Sequence, residues 1–211
     1  MVLSNRSSFV LASNNPGKVQ EVMHKFNEAG LDLISPADLG FCISPDEVGR
    51  TFLENSRIKA YETFKLLRGN NHKSLGVIAD DSGLEIDALG GMPGVDSALY
   101  LGKDVTYDVR NAYIIKQMEG VTSRTARFVC VLTCILPNGE EKTVRGTVTG
   151  EVSHAPKGFY GFGYDPIFFL PEYGKTMAEL PLEEKNKISH RSRALTLLFD
   201  VLRGLDEDII S

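Results

Sequence analysis

The apolar residues of this chain fall into alternating strand-like and helix-like segments. Residues 8–12 form a short apolar run that predicts a buried strand, and residues 31–34 predict a second one. Between them, apolar residues recur at three- and four-residue spacing and predict the buried face of a helix that ends near Gly30. This face comprises Val19, Val22, Met23 and Phe26.

Three further helices are predicted from the same kind of spacing. The first begins at Thr51, where Glu54 stands three residues later and completes a capping box. Its apolar side comprises Phe52, Ile58, Tyr61, Phe64 and Leu67. The helix predicted over residues 106–118 has an apolar side at Val109, Ala112, Ile115 and Met118. The C-terminal helix has an apolar side at Ile188, Leu195, Leu198, Val201 and Leu202.

Strand patterns occupy the centre of the chain. The apolar residues 77–79 predict a short strand that ends at an acidic pair, and residues 127–136 and 142–152 predict two longer strands. The intervening sequence PNGE at 137–140 is a strong hairpin turn. Because helices and strands are interleaved while the hairpin is antiparallel, we expect an α/β protein with a mixed β-sheet and flanking helices.

Length and charge restrict the class of protein. A chain of 211 residues forms one large domain or two lobes that share a core. The formal net charge of -5 leaves no basic excess to neutralise a nucleic-acid backbone, so a general nucleic-acid binder is excluded. A local basic pocket for one small anion remains compatible with this charge.

Cysteine usage and hydropathy indicate where the protein resides. The three cysteines are odd in number and lack metal-ligand spacing, and Cys130 and Cys134 lie four apart in a strand-like run, as core side chains would. The apolar stretch near the N-terminus is too short for a signal peptide, and no run is long enough to span a bilayer. We therefore predict a soluble cytoplasmic protein without a membrane partner.

An acidic pair is the most informative motif. Asp80 and Asp81 follow the apolar residues directly, and Ser82 and a glycine come next. Neighbouring carboxylates repel each other, so a cation must offset them, and a divalent metal that shares these oxygens with a phosphorylated ligand is one candidate. A hydrated turn is the alternative, since Asp, Ser and Gly are ordinary turn formers.

Residues 13–18 form a polar turn between a predicted strand and a predicted helix. Free backbone N–H groups at a helix start bind anions, and Lys18 adds a positive charge that is unfavourable there unless an anion is present. The spacing of a P-loop is absent. A simple asparagine helix cap is the alternative interpretation.

Three other motifs could contribute to a nucleotide site. Lys59 shares a helix face with Asn55, where a fixed cation would offset phosphate charge, although a solvated charged face is the alternative. The glycines and aromatic residues at 161–165 suit close approach to a flat heterocycle, or equally a tight turn over a core. His190 and Arg191 can donate hydrogen bonds to a 6-oxopurine edge, or they can be a surface pair.

Together these motifs resemble the inosine triphosphate pyrophosphatase family, of the Ham1/RdgB type. The resemblance implies an elongated α/β fold in which residues 1–211 form one domain with two lobes around a cleft, and a homodimer. It also implies Mg²⁺-dependent hydrolysis of ITP, dITP and XTP to the monophosphate and pyrophosphate. The matching segments, in family order over residues 10–198, are SNNPGK, TFLENSRIKA, IADDSGLEIDALGGMPGVDSA, GFGYDPIFF and EEKNKISHRSRAL.

The resemblance further implies roles for individual residues. Asp81 would be the general base and a metal ligand, Lys59 would act near the phosphates, and Ser82 would touch the substrate. The triphosphate would be held by Ser13, Asn14, Asn15, Pro16, Gly17 and Lys18. The nucleotide, chiefly its base, would be held by Phe162, Gly163, Tyr164, Asp165, Lys185, His190 and Arg191.

Two departures from the family pattern leave alternatives open. Asp46 and Glu47 stand where two glutamates are common, so either is a candidate for the second metal ligand. Leu99 stands where many relatives have arginine, so any charge contact made there is missing. Two other functions also fit the motifs: a nucleotide pyrophosphatase of different base preference, and a non-catalytic purine nucleotide sensor.

Overall fold

A computed structural model describes residues 8–43 and 45–208 of the chain. Residues 1–7, Ser44 and residues 209–211 lie outside the described part. The chain divides into two compact units, one made of residues 1–81, 130–146 and 191–211 and the other of residues 82–129 and 147–190. The prediction of a single two-lobed domain is not tested by this division.

The strands form one mixed seven-stranded sheet, in the order β2-β1-β3-β4-β5-β6-β7. Strand β1 pairs in parallel with both β2 and β3, whereas β6 pairs antiparallel with both β5 and β7. The predicted α/β class and the hairpin between β4 and β5 are therefore confirmed. The strands are β1 (Ser8–Leu11), β2 (Asp32–Ile34), β3 (Gly76–Ile86), β4 (Thr125–Ile135), β5 (Glu141–Val152), β6 (Phe168–Leu170) and β7 (Lys175–Thr176).

Five helices flank these strands in the described chain, and two of them begin at the caps that the sequence predicts. The Asn15 side chain accepts hydrogen bonds from the backbone N–H groups of Gly17 and Lys18, and Thr51 and Glu54 form the predicted capping box. None of these helices is both long and apolar enough to cross a bilayer. They are α1 (Pro16–Glu28), α2 (Phe52–Gly69), α3 (Tyr107–Gln117), α4 (Leu182–Ile188) and α5 (His190–Asp208).

Strand β3 continues through the acidic pair, so the predicted strand end at Asp80 was wrong. The strand runs on to Ile86, and both Asp80 and Asp81 are buried within it. Aspartate is disfavoured in strands when its charge must be desolvated alone. Here each carboxylate pairs with a cationic side chain, which offsets the cost of desolvating its charge.

The first unit buries apolar residues on both faces of its part of the sheet. One cluster joins Ile78 of β3 and Cys130 of β4 to α1 and α5, and the other joins Val77 and Ala79 to α2. Alternate residues of a strand point to opposite faces, which explains why neighbours on β3 belong to different clusters. Cys130 and Cys134 are core side chains, as predicted.

The second unit has its own core. It includes Leu84 and Ile86 from the end of β3, Ile114 from α3 and Phe168 from β6. The rings of Phe128 and Phe168 lie 4.3 Å apart in this core. The aromatic and aliphatic contacts anchor the loop before β6, which carries several of the predicted base-binding residues.

The apolar helix faces were predicted only in part. Met23, Tyr61, Val109 and Val201 are 37–55% exposed, although each was expected on a buried side. Charged residues of α1, α2 and α3 take interior positions instead, and hydrophobic spacing cannot detect them because each is buried with a polar partner. These residues are Glu21, Lys59 and Arg110.

Helix α5 provides a direct test of core packing in the first unit. Leu198 is fully buried between the sheet and α1, whereas its neighbour Leu197 is 47% exposed. Leu198→Ala should lower the free energy of unfolding by about 2–5 kcal/mol, because it leaves a cavity. Leu197→Ala, the matched control, should cost less than about 1 kcal/mol. Urea denaturation measures both, and equal losses would contradict the assigned packing.

Candidate active site

The start of α1 holds the predicted anion-binding turn in a fixed conformation. Pro16 occupies the first turn of the helix, and Asn15 accepts from the N–H groups of Gly17 and Lys18 at 3.0 and 3.2 Å. The Asn14 amide donates to the carbonyl oxygen of Ile43, which connects the turn to the segment between β2 and α2. The Ser13 hydroxyl accepts from the N–H of Asn15 at 3.3 Å.

Asp80 lies at the centre of a buried network of charges. Its Oδ1 accepts from Lys18 Nζ at 2.5 Å, and its Oδ2 accepts from Arg191 Nε at 2.8 Å. The Cys130 thiol donates to the same Oδ2 at 3.1 Å. Arg191 also forms an ion pair with Glu21 of α1. Two cations and two anions therefore alternate along this network and leave it without net charge.

The partners of Asp80 keep its carboxylate ionised in the interior. Burial alone would raise the pKa of Asp80, but the positive charges of Arg191 and Lys18 outweigh it and hold the pKa well below the ordinary value of 3.8. Both oxygens already face cationic donors. Asp80 therefore contributes no negative charge that would attract a further metal ion.

Asp81 belongs to a second network that faces α2. Lys59 Nζ donates to Asp81 Oδ1 at 2.8 Å and to Glu47 Oε2 at 2.9 Å. Lys59 is buried, so the alternative of a solvated charged helix face is wrong. The other oxygen of Asp81, Oδ2, is buried and accepts no hydrogen bond from the described residues.

The second network shifts the pKa of each member. Burial raises the pKa of Asp81 from 3.8 to about 6, against the opposing charges of Lys59 and Lys18 and with a contribution from Glu47. For Lys59, burial favours the neutral amine, but the carboxylates of Asp81 and Glu47 outweigh it and raise the pKa. A carboxylate with a pKa near 6 suits proton transfer close to neutral pH.

The second network also fits a divalent cation. One ammonium opposes two carboxylates, which leaves a deficit of one positive charge beside the buried Oδ2 of Asp81. Mg²⁺ is usually bound by one or two carboxylates together with substrate phosphates. No group of three or more acidic, histidine or cysteine ligands occurs in the described ranges. Asp46 and Glu47 are both exposed, and Glu47 accepts from Lys59.

Lys18 links the two networks electrostatically. Its ammonium contacts Asp80 and is close enough to lower the pKa of both Asp81 and Glu47. The structure therefore brings the predicted phosphate-binding lysine and the predicted general base together within one unit. Ser82, which follows Asp81 on β3, is half-buried.

A third group of polar residues lies in the second unit. Lys185 forms a buried ion pair with Asp165, and its ammonium stands 4.8 Å above the Phe162 ring. Asp165 also accepts from the backbone N–H of Phe162 at 2.9 Å. A Cβ at Gly161, where φ is +74°, would come within 2.1 Å of the Asp165 carboxylate, so only glycine fits there.

The rest of this loop is held by its neighbours in the second unit. The carbonyl oxygen of Gly163 accepts from the Asn111 amide at 3.1 Å, and the Tyr164 hydroxyl donates to the carbonyl oxygen of Ser97 at 2.8 Å. Tyr164 is buried and stacks edge-on against Tyr107. Tyr164 therefore anchors the loop to the core, which leaves Phe162 as the better-placed stacking ring.

The adjacent residues His190 and Arg191 occupy different surroundings. The His190 ring stacks on Phe128 in the second unit, with centroids 4.8 Å apart. Arg191 lies in the first unit and pairs with Asp80 and Glu21. Both residues are buried, so the alternative of a surface pair is wrong. The contact of Arg191 with the base stays a prediction.

Sequence reasoning missed three residues that complete these networks. Glu21 stands three positions after Lys18 on α1, a spacing that places both on one helix face. Cys130 contacts Asp80, and Asn111 holds the loop at Gly163. The spacing of Glu21 was visible in the sequence, but the partners that bury these three residues come from remote segments.

Comparison with known proteins shows similarity over nearly the whole chain. The sequence profile of the Ham1 family matches residues 9–201. A dITP/XTP pyrophosphatase of Bacillus subtilis is 45% identical over 197 residues, covering 92% of this chain and 96% of that protein. The dITP/XTP pyrophosphatase of Escherichia coli K12 is 45% identical over 200 residues, covering 92% and 98%. The Ham1 protein structure of Staphylococcus aureus matches with a TM-score of 0.81 at 39% identity, covering 94% and 99%.

The raised pKa of Asp81 predicts a pH-dependent cost of folding. A carboxyl whose pKa is raised in the folded state stabilises the protein fully below its unfolded pKa of 3.8, and this stability is lost as the pH rises through about 6. Asp81→Asn stays neutral at every pH. Its free energy of unfolding relative to the wild type should therefore rise by about 1–1.5 kcal/mol from pH 5 to pH 8. Urea denaturation in the presence of a metal chelator measures this difference.

The control for this measurement is Asp32→Asn, which removes an exposed carboxylate from β2 in the same unit. Its stability relative to the wild type should change little between the two pH values, because an exposed group is well solvated in both states. A pH dependence of Asp81→Asn that matches that of Asp32→Asn would contradict the assigned environment.

Proposed function

The chain belongs to the Ham1 family, and we propose that it hydrolyses ITP, dITP and XTP to the nucleoside monophosphate and pyrophosphate. Removing these non-standard purine nucleotides would clear them from the nucleotide pool. One observation carries the chemistry: the buried Asp81 carboxylate pairs with Lys59 through one oxygen while the other accepts no hydrogen bond from the described residues. Such a group is oriented yet still able to accept a proton.

Asp81 is the proposed general base. It orients a water molecule and accepts its proton as the water oxygen attacks the α-phosphorus. The bond from this phosphorus to the oxygen that bridges to the β-phosphate breaks, and pyrophosphate leaves with the electron pair. The pKa of Asp81, about 6, keeps most of the carboxylate ionised at neutral pH while leaving it basic enough to accept the proton.

Lys18 and Lys59 are the proposed charge partners of the phosphates. Fixed cations stabilise the negative charge that develops on phosphate oxygens, and they act most strongly where water is excluded. Lys59 is buried, and Lys18 stands in the first turn of α1, close to Asp80. The turn from Ser13 to Lys18 is accordingly the proposed triphosphate site.

Magnesium is the proposed metal. Asp81 and Glu47 would hold it, because together they present the unbalanced negative charge and the unpartnered oxygen of the second network. Asp46 is the alternative to Glu47 from the sequence, and the ion pair of Glu47 with Lys59 favours Glu47. When bound, Mg²⁺ neutralises phosphate oxygens and favours departure of pyrophosphate.

The loop at Phe162 and Lys185 is the proposed base site. Phe162 offers a ring for stacking, and the Lys185 ammonium near it can donate to the carbonyl oxygen at C6 of hypoxanthine or xanthine. Adenine has an amino donor at this position and would place a donor against a donor. A buried polar site discriminates strongly in this way, because mismatched groups stay unpaired.

Two further features are proposed from family membership. We expect a homodimer in solution and a cytoplasmic location, neither of which depends on the residues of the site. Light scattering after size exclusion measures the first. A pyrophosphatase of different base preference and a non-catalytic nucleotide sensor remain the competing functions, and the substrate panel described below separates them.

Replacement of the proposed base should abolish turnover without unfolding the protein. Asp81→Asn removes the proton acceptor but keeps the shape of the side chain, so kcat should fall by about 10²–10⁴-fold. Pyrophosphate release from ITP measures the loss, and circular dichroism checks the fold. Asp32→Asn, an exposed substitution on β2, should retain wild-type activity. Near-normal turnover by Asp81→Asn would refute the role of Asp81.

A panel of nucleotides with and without Mg²⁺ tests the proposed function itself. ITP and XTP should be hydrolysed with kcat/KM at least about 10²-fold above ATP and dUTP, because adenine places a donor against the donor of the base site and the single ring of uracil stacks over less area. The product should be pyrophosphate rather than orthophosphate, and a chelator should abolish its formation. A preference for ATP or dUTP would indicate the first competing function, and no product from any nucleotide would indicate a sensor.

A further inference from the structure

We propose that Asp80 is a positioning residue for Lys18, holding its ammonium ready for the triphosphate, with Arg191 and Glu21 fixing Asp80 in turn. This inference rests on the proposed function, because it assumes that Lys18 binds phosphate. It assigns to Asp80 a part in the reaction distinct from that of its neighbour Asp81.

The geometry separates the two adjacent carboxylates. Asp80 is completely buried, and each of its oxygens is within 2.8 Å of a cationic nitrogen, Lys18 Nζ on one side and Arg191 Nε on the other. Asp81 has a cation on one oxygen only. A carboxylate held at both oxygens is poorly suited to bind metal or accept a proton, but it is well suited to fix the position of a donor.

Lys18 is the member of this network that can reach a ligand. Its side chain is 16% exposed, whereas those of Asp80 and Arg191 are 0% and 1% exposed. An ammonium carries three N–H donors, and the contact with Asp80 uses one of them. The remaining donors can bind phosphate oxygens without breaking this contact. A lysine tethered in advance loses less side-chain entropy when the substrate binds.

The position of Lys18 argues against a purely stabilising ion pair. A cation in the first turn of a helix opposes the helix dipole, so this site is unfavourable for stability alone. The backbone N–H groups of Gly17 and Lys18 already donate to Asn15, so the Lys18 ammonium is the donor of this turn that remains for a ligand. An ammonium held by a buried carboxylate at this place is explained by a ligand that carries several negative charges.

Arg191 and Glu21 complete the support of Asp80. The Arg191 guanidinium bridges the carboxylates of Asp80 and Glu21, so it connects β3 to α1 from the first turn of α5. Glu21 lies one turn after Lys18 on α1. This arrangement fixes Asp80 relative to the helix that carries Lys18. Arg191 therefore holds the Asp80 oxygen that Lys18 does not contact.

A double-mutant cycle between Asp80 and Lys18 tests this inference. Asp80→Asn should lower kcat/KM for ITP by about tenfold, mainly through KM, because the ammonium loses its tether. In the background of Lys18→Met the same substitution should change kcat/KM by less than about twofold, since no ammonium remains to be positioned.

Glu21→Gln is the matched control for this cycle. It removes another buried partner of Arg191 but leaves the contact between Lys18 and Asp80 in place. Because Glu21 is two contacts removed from Lys18, Glu21→Gln should lower kcat/KM for ITP by less than Asp80→Asn does. Equal losses from Asp80→Asn in both backgrounds would overturn the inference. If Asp80→Asn fails to fold, Asp80→Glu, which keeps the charge and moves it by one methylene, replaces it in the same cycle.

The reactivity of Lys18 provides a readout that does not depend on turnover. A lysine amine that is hydrogen-bonded to a buried carboxylate reacts slowly with an acetylating reagent. Loss of the contact between Lys18 and Asp80 should therefore increase the rate of acetylation several-fold. Mass spectrometry of Lys18 should show this increase in Asp80→Asn but not in Glu21→Gln. An unchanged rate in Asp80→Asn would overturn the tether. An inactive wild type with a tethered Lys18 would instead refute the proposed function.

Discussion

Two neighbouring carboxylates on one strand face opposite sides of the sheet, and the first unit is organised around this constraint. Asp80 points towards α1 and α5, where Lys18 and Arg191 meet it, and Asp81 points towards α2, where Lys59 meets it. Alternation along β3 makes this separation unavoidable for consecutive residues. The repulsion expected between adjacent anions is thereby replaced by two separate attractions.

The two networks differ in charge, and this difference assigns their roles. The Asp80 network balances its charges within the protein, so it gives a rigid support. The Asp81 network is short of one positive charge and has a carboxylate oxygen that accepts no hydrogen bond from the described residues, so we propose that a cation and a substrate complete it. Buried charges are costly unless they are paired, and this site keeps an imbalance where chemistry is proposed.

The second unit uses the same principle for a different purpose. Lys185 and Asp165 form a buried ion pair that fixes the loop beside the Phe162 ring, and glycine at 161 is required because the carboxylate occupies the space of a side chain. The glycines and aromatic residues of this loop signalled a ligand site or a tight turn. The packing shows that one aromatic residue, Tyr164, anchors the turn while Phe162 remains at the polar cluster.

The sequence by itself determined the α/β class, the helix starts at Asn15 and Thr51, the central hairpin and the grouping of polar motifs that resembles a known family. These features depend on neighbouring residues, so local patterns are enough to predict them. Only the tertiary structure decided that β3 continues through the acidic pair, that Lys59 is buried and that Arg191 pairs with Asp80 and Glu21. Burial of a charge depends on a partner from a remote segment, and hydrophobic spacing along the chain carries no record of that partner.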